Sequence, residues 1–99
     1  MLECSVIILN WNGEAMLRRY LPSVIQYTQL EGVEIVVADN GSTDASLEFL
    51  HSQPVRIIEL GENLGFAEGY NRAIEQVESK YVVLLNSDVE VTSNWLDTL

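Results

Sequence analysis

Residues 33–44 read VEIVVADNGSTD. The first seven are mostly apolar and β-branched, in a run too short for an ordinary helix and without the alternation of a half-exposed strand. They read as a strand covered on both faces. The run ends on Asp39 and passes into a turn, Asn40-Gly41-Ser42-Thr43-Asp44, in which Ser42 or Thr43 is a natural N-cap for a following helix.

Working outward, three more runs have the same character: SVIIL (5–9), VRIIEL (55–60) and KYVVLLN (80–86). Helical patterns fill the gaps. EAMLRRYLPSVIQYT (14–28) carries Leu17, Leu21, Val24 and Ile25 at helical spacing. Pro22 falls inside it and implies a kink or an interruption. DASLEFLHSQ (44–53) is a short helix carrying Leu47, Phe49 and Leu50, closed by Pro54. FAEGYNRAIEQVES (66–79) lines up Phe66, Tyr70, Ala73, Ile74 and Val77 as a core face. TSNWLDTL (92–99) reads as a capped helix start.

Strands alternating with helices predict an α/β domain: a Rossmann-like parallel sheet with right-handed crossovers and helices on both faces. The expected strand order is 3-2-1-4, within one domain spanning 1–99. In such a sheet ligands sit beyond the carboxyl ends of the strands, where the order reverses. Those ends carry Asn10-Trp11-Asn12, Asp39-Asn40, the loop 59–63 and Asn86-Ser87-Asp88. With the first strand central, Asp39 and Asp88 would face one crevice from either side of it. Each feature also has a plainer reading. Asp39-Asn40-Gly41 is a turn, Asp88 caps one, Trp11 packs in the core, Arg72 is a solvated cation, and Gly61, Gly65 and Gly69 loosen a loop.

Composition narrows the classes. Apolar residues make up 47% of the 99, which is globular usage, and no apolar run reaches the ~20 residues of a membrane span. The start, MLECSVIILNWNG, lacks the marks of a signal peptide. The single cysteine, Cys4, fits a reducing, cytoplasmic setting. The net charge is -10, and the five basic residues, Arg18, Arg19, Arg56, Arg72 and Lys80, are scattered, which argues against nucleic acid. A phosphorylated ligand would need a cation beside it. NWNGEAM after the first strand has no G-x-G-x-x-G, so a dinucleotide fold is disfavoured, and no Walker A motif occurs.

Four stretches in order, VIILNWNG (6–13), IVVADNGSTD (35–44), ENLGFAEGYNRAI (62–74) and YVVLLNSDVEV (81–91), resemble the N-terminal half of a family 2 glycosyltransferase of GT-A fold. The resemblance implies a nucleotide-sugar site. Asn10, Trp11, Asn12 and Glu14 would hold base and ribose. Asp39 would contact the base, with Asn40 shaping its turn. Asn63, Gly65, Asn71 and Arg72 would lie near diphosphate and sugar. Asn86-Ser87-Asp88 matches the family's D-x-D, with Asp88 binding Mg²⁺ or Mn²⁺ and Asn86 a neutral departure from the pattern. N-x-D beside Asn63-x-Gly65-Phe66-x-x-Gly69-x-Asn71 is similar to rhamnosyltransferase-like members, implying a dTDP-linked 6-deoxysugar or a UDP-sugar donor. The acceptor would be a saccharide or lipid-linked saccharide, handled in the cytoplasm or at the inner membrane face.

Members of that family are longer. The resemblance therefore implies a truncated, donor-binding half, with the general base and the acceptor-binding part beyond Leu99 and the fourth strand open to self-association. The alternative is an acidic α/β interaction or signalling domain without a nucleotide.

Overall fold

The computed structural model describes residues 3–89, 91–92 and 95–98. Four strands, β1 (Cys4–Asn10), β2 (Val33–Asp39), β3 (Arg56–Glu59) and β4 (Tyr81–Leu85), alternate with three helices, α1 (Glu14–Tyr27), α2 (Ser46–His51) and α3 (Phe66–Ile74). The sheet is parallel in the order β3-β2-β1-β4, as the alternation predicts.

Both faces are covered. On one, Ile8 and Val37 pack against Leu17, Leu21 and Val24 of α1 and Leu50 of α2. On the other, Ile7, Val36, Ala38 and Ile58 pack against Tyr70 and Ala73 of α3. Burial on two faces is why the strand runs do not alternate. Fully burying each such aliphatic side chain stabilises the fold by about 1.5–3 kcal/mol.

Register sets the site. Asn10 lies opposite Asp39 at the ends of β1 and β2. The β1–β4 ladder ends at Ile8–Leu85, so Asn86 to Asp88 leave the sheet beside the Leu9–Asn10 end of β1. The strand ends expected to meet do meet.

Several details depart from expectation. α1 runs through Pro22 without interruption. Pro22 is exposed, and so is Arg18, whose carbonyl loses its helical partner there, so the missing bond faces solvent. α3 stops at Ile74, five residues early, because Gln76 and Val77 donate to Ala73 and Ile74 in tighter i→i−3 bonds. Phe66 is not core but 67% exposed. At the end of the chain Trp95–Thr98 form a single 3₁₀ turn. The expected cap at Thr92–Asn94 lies partly outside the described residues. β4 is an edge strand with Tyr81, Val82 and Leu84 exposed. No described helix is long and apolar enough to cross a membrane.

Candidate functional site

Asp39 and the residues around it form the best-ordered polar cluster. Its carboxylate accepts from Asn10 Nδ2 at 2.9 Å, from the Ser42 hydroxyl at 2.6 Å and from the Ser42 backbone N–H at 2.9 Å. Ser42 Oγ in turn accepts from Asn10 Nδ2 at 3.1 Å and from the Asn12 N–H at 2.9 Å. Asp39 is 2% exposed. It closes the turn after β2 and ties that turn to the end of β1.

Asn12 completes the tie from the other side. It sits at φ 49°, a left-handed conformation that asparagine tolerates. Its Oδ1 accepts from the Thr43 N–H at 2.7 Å and the Asp44 N–H at 3.2 Å. Glu14 is used likewise: its N–H donates to Asp44 Oδ2 at 3.2 Å, and its carboxylate accepts from Ala45 N–H and from Arg18. Asp44 is barely buried. That slight burial opposes ionisation, but the N–H groups of Ser46 and Glu14 outweigh it and hold the carboxyl below its ordinary value.

Asn40 braces the third strand end. Its Nδ2 donates to Asn63 Oδ1 and to the Gly65 carbonyl, and its Oδ1 accepts from the Leu64 N–H. Two glycines permit this closeness. Gly41, at φ +82°, stands so near the loop after β3 that a Cβ would lie 2.7 Å from Glu62 Cα. A Cβ on Gly69 would lie 2.9 Å from Leu9 Cδ1 and 3.1 Å from Asn40 Nδ2.

Above these braces opens a cleft of about 690 Å³, lined by Trp11, Asn12 and Gly13 after β1, Asn40 after β2, Asn63, Gly65, Phe66 and Tyr70 around the start of α3, and Asn86-Ser87-Asp88 after β4, with Leu9 and Met16. Trp11, 54% exposed, and Phe66 leave apolar surface at its mouth. Among the described residues Asp88 is its one carboxylate, and no lysine or arginine lines it. Asp88 is exposed, and its carboxylate makes no hydrogen bond or ion pair among the described residues. Asn10 Oδ1 is buried without a partner among them, against Gly13.

Of the residues singled out in the sequence, Trp11, Asn12, Asn40, Asn63, Gly65, Asn86 and Asp88 share this cleft. Asn10, Asp39 and Glu14 do not line it: they lie behind its wall and hold its loops. Asp39 and Asp88 thus stand at the same edge of the sheet, Asp88 lining the cleft and Asp39 bracing the turn behind it. Asn71 and Arg72 do not line it either. α3 turns Phe66 and Tyr70, four residues apart, toward the cleft, and the next two positions therefore face solvent. Arg72 pairs there with Glu68 at 3.0 Å.

Tyr70 and Phe66 both sit on the core face that the spacing of α3 predicts; Tyr70 is core and also lines the cleft, whereas Phe66 is exposed at its mouth. The available signal for their place in the cleft was position: the first turn of a helix that starts at the carboxyl edge of the sheet stands at the ligand end. Tyr70 donates its hydroxyl to the Leu85 carbonyl at 3.0 Å, and burial pushes its phenol above the ordinary value.

The cleft fits a divalent cation only in part. Asp88, the Asn86 amide and the Ser87 hydroxyl offer hard oxygen donors, the kind Mg²⁺ and Mn²⁺ take. No cluster of three or more acidic, His or Cys groups exists among the described residues. One carboxylate would hold such an ion only with oxygens from a bound phosphate.

The chain is 29% identical over 97 residues to the teichoic acid poly(glycerol phosphate) polymerase of Staphylococcus epidermidis, spanning 92% of this chain and 13% of that protein. Among solved structures, S. aureus TarS 1–349 in complex with UDP-GlcNAc superposes with a TM-score of 0.85 at 25% identity, over 98% of this chain and 30% of that one. A mannosyltransferase from Pyrobaculum calidifontis, in complex with GDP-Man and Mn²⁺, shares the fold at TM-score 0.79 and 21% identity, over 92% of this chain and 29% of its own. The chain thus spans under a third of each. Residues 5–99 match the model of glycosyl transferase family 2, and the chain belongs to that family.

Proposed function

We propose that this chain is the donor-binding part of a nucleotide-sugar glycosyltransferase and that the cleft after the four strands holds the donor. The carrying observation is the Asp88 carboxylate, the only one lining the cleft and without a hydrogen bond or ion pair among the described residues, none of which brings a cationic side chain to it. A diphosphate enters such a site only with a cation, and Asp88 with Asn86 and Ser87 would hold that cation against it. When bound, the cation stabilises charge on the departing nucleoside diphosphate.

The chain's own residues do the rest. Trp11, Asn12 and Asn40 present one apolar and two amide surfaces to base and ribose. Asn63 and Gly65 line the opposite wall, toward diphosphate and sugar. Asp39, Asn10 and Glu14 act at one remove, by fixing the loops that carry Asn12 and Ser42. In transfer an acceptor hydroxyl forms a bond to the anomeric carbon as the bond to diphosphate breaks, and its proton passes to a general base. We read the transfer as inverting. Asp88 is committed to the diphosphate side, so the base is assigned to no described residue.

The N-x-D and N-x-G-F-x-x-G-x-N patterns favour a dTDP-linked 6-deoxysugar, and the likeness to a UDP-GlcNAc complex favours UDP. A saccharide or lipid-linked saccharide acceptor, and a location in the cytoplasm or at the inner membrane face, follow from the family resemblance and the lone cysteine. Self-association through the exposed β4 edge belongs to the same proposal. Calorimetric titration of UDP, dTDP and their sugars, with and without Mn²⁺, tests the core of it. The expected result is metal-dependent binding that Asp88→Ala abolishes; no binding, or binding indifferent to Asp88→Ala, refutes it.

A further inference from the structure

We infer that Tyr70 is a positioning residue for the Asn86-Ser87-Asp88 turn, setting where Asp88 stands in the cleft. The inference rests on the proposed donor site and adds to it a residue outside the four polar strand ends. β4 is an edge strand, and Leu85 is its last residue paired with β1. Beyond it Val89 and Val91 pack on the α1 side of the sheet and hold the far end of the turn, but the turn itself has few hydrogen bonds. The Val89 N–H donates to the Asn86 carbonyl at a long 3.3 Å, and the Asn86 and Asp88 side chains make no hydrogen bond among the described residues.

Tyr70 supplies a polar anchor at the near end. Its ring is 4% exposed, packed with Ala73 and Ile7 on the α3 face. Phe66 meets it edge-on, ring centroids 4.9 Å apart at 73°. From that fixed base the hydroxyl donates to the Leu85 carbonyl at 3.0 Å, one residue before the turn. Burial raises the phenol's pKa, so the group stays a protonated donor across the neutral range. α3 itself is held against β1 and Asn40 by the close approach at Gly69. A continuous path therefore runs from the Asn40 brace through α3 to the carboxylate: the wall that would meet the sugar and diphosphate also aims the group that would meet the cation.

Tyr70→Phe tests this, because it keeps the ring and its packing and deletes one hydrogen bond. Amide hydrogen exchange needs no ligand. Exchange at Val89 is expected to speed up about fivefold to tenfold, while Val37 in the central sheet is unchanged. Unchanged exchange at Val89, or equal acceleration at Val37, overturns the inference. Titration of UDP supplies the second readout. Tyr70→Phe is expected to weaken Mn²⁺-dependent binding about fivefold to tenfold at limiting Mn²⁺ and to raise the Mn²⁺ concentration that supports half-maximal binding, with the loss relieved by excess Mn²⁺. Weakening that excess Mn²⁺ does not relieve would mark a merely structural role and overturn it. If the wild-type chain binds no nucleotide the donor reading fails, and the Val89 exchange result still decides the role of Tyr70. If the wild type binds through Asp88 and Tyr70→Phe matches it, only the positioning role fails.

Discussion

Replacing Asp39 by alanine separates the two aspartates most sharply. The carboxylate receives three donors, and the substitution affects them unequally. Asn10 Nδ2 keeps Ser42 Oγ as a partner at 3.1 Å. The Ser42 N–H loses the acceptor it holds at 2.9 Å, and the Ser42 hydroxyl loses the one at 2.6 Å. Stranding a buried donor costs about 1–3 kcal/mol, so two in one turn give about 2–4 kcal/mol after the hydroxyl reorients. Relief from burying a carboxylate that has no cation beside it works the other way and argues for the lower half of that range. Against a typical total of about 5–15 kcal/mol this is a large share. Urea unfolding at neutral pH reads it: with a slope near 1 kcal/mol/M, the midpoint falls by roughly 2–3 M. Asp88→Ala is the control. Its side chain is exposed and unpaired, so its stability stays within about 0.5 kcal/mol of wild type. If Asp39→Ala unfolds within that margin too, or if Asp88→Ala loses as much, the division into a bracing and a cleft-lining aspartate is wrong.

Gly41→Ala forces a Cβ to 2.7 Å from Glu62 Cα at φ +82°, so thermal or urea unfolding should show a loss of about 2–3 kcal/mol, with the loops after β2 and β3 displaced together. Asp44 gives a pH dependence. Its carboxyl sits below its ordinary value in the folded chain, so its stabilisation is complete above about pH 5 and is lost as pH falls through the folded value. The group is nearly exposed, so Asp44→Asn should cost no more than about 1 kcal/mol at pH 6 and less at pH 3, as parallel urea curves would show.

Periodicity made the fold legible. Four unalternating β-branched runs between three helical patterns leave little besides a parallel sheet covered on both faces, and the polar endings of those runs marked the edge where the cleft lies. What escaped the sequence is orientation within that edge. Asp39, Asn40 and Asn12 look like ligand groups by type and place, yet their polar atoms are largely taken up by loop-to-loop bonds that no local pattern encodes. Only the structure shows Ser42 as the hub. Tyr70 and Phe66 obeyed the core spacing of α3 and still reached the cleft, because helix spacing fixes a face and not how far along the sheet that face extends. Arg72, two positions past Tyr70 on α3, is turned to solvent beside Glu68.

The central claim is a place: a nucleoside diphosphate and its cation sit at the carboxyl ends of the strands, against Asp88. Paramagnetic broadening by Mn²⁺, with UDP present, reads that place in backbone amide spectra. The account predicts selective loss of the signals of Asn12 and Gly13, of Asn63 to Phe66 and of Ser87 to Val89, with Cys4, Thr28 and Val33 at the opposite edge unaffected. Broadening centred on that opposite edge, or spread evenly over the acidic surface, would contradict it.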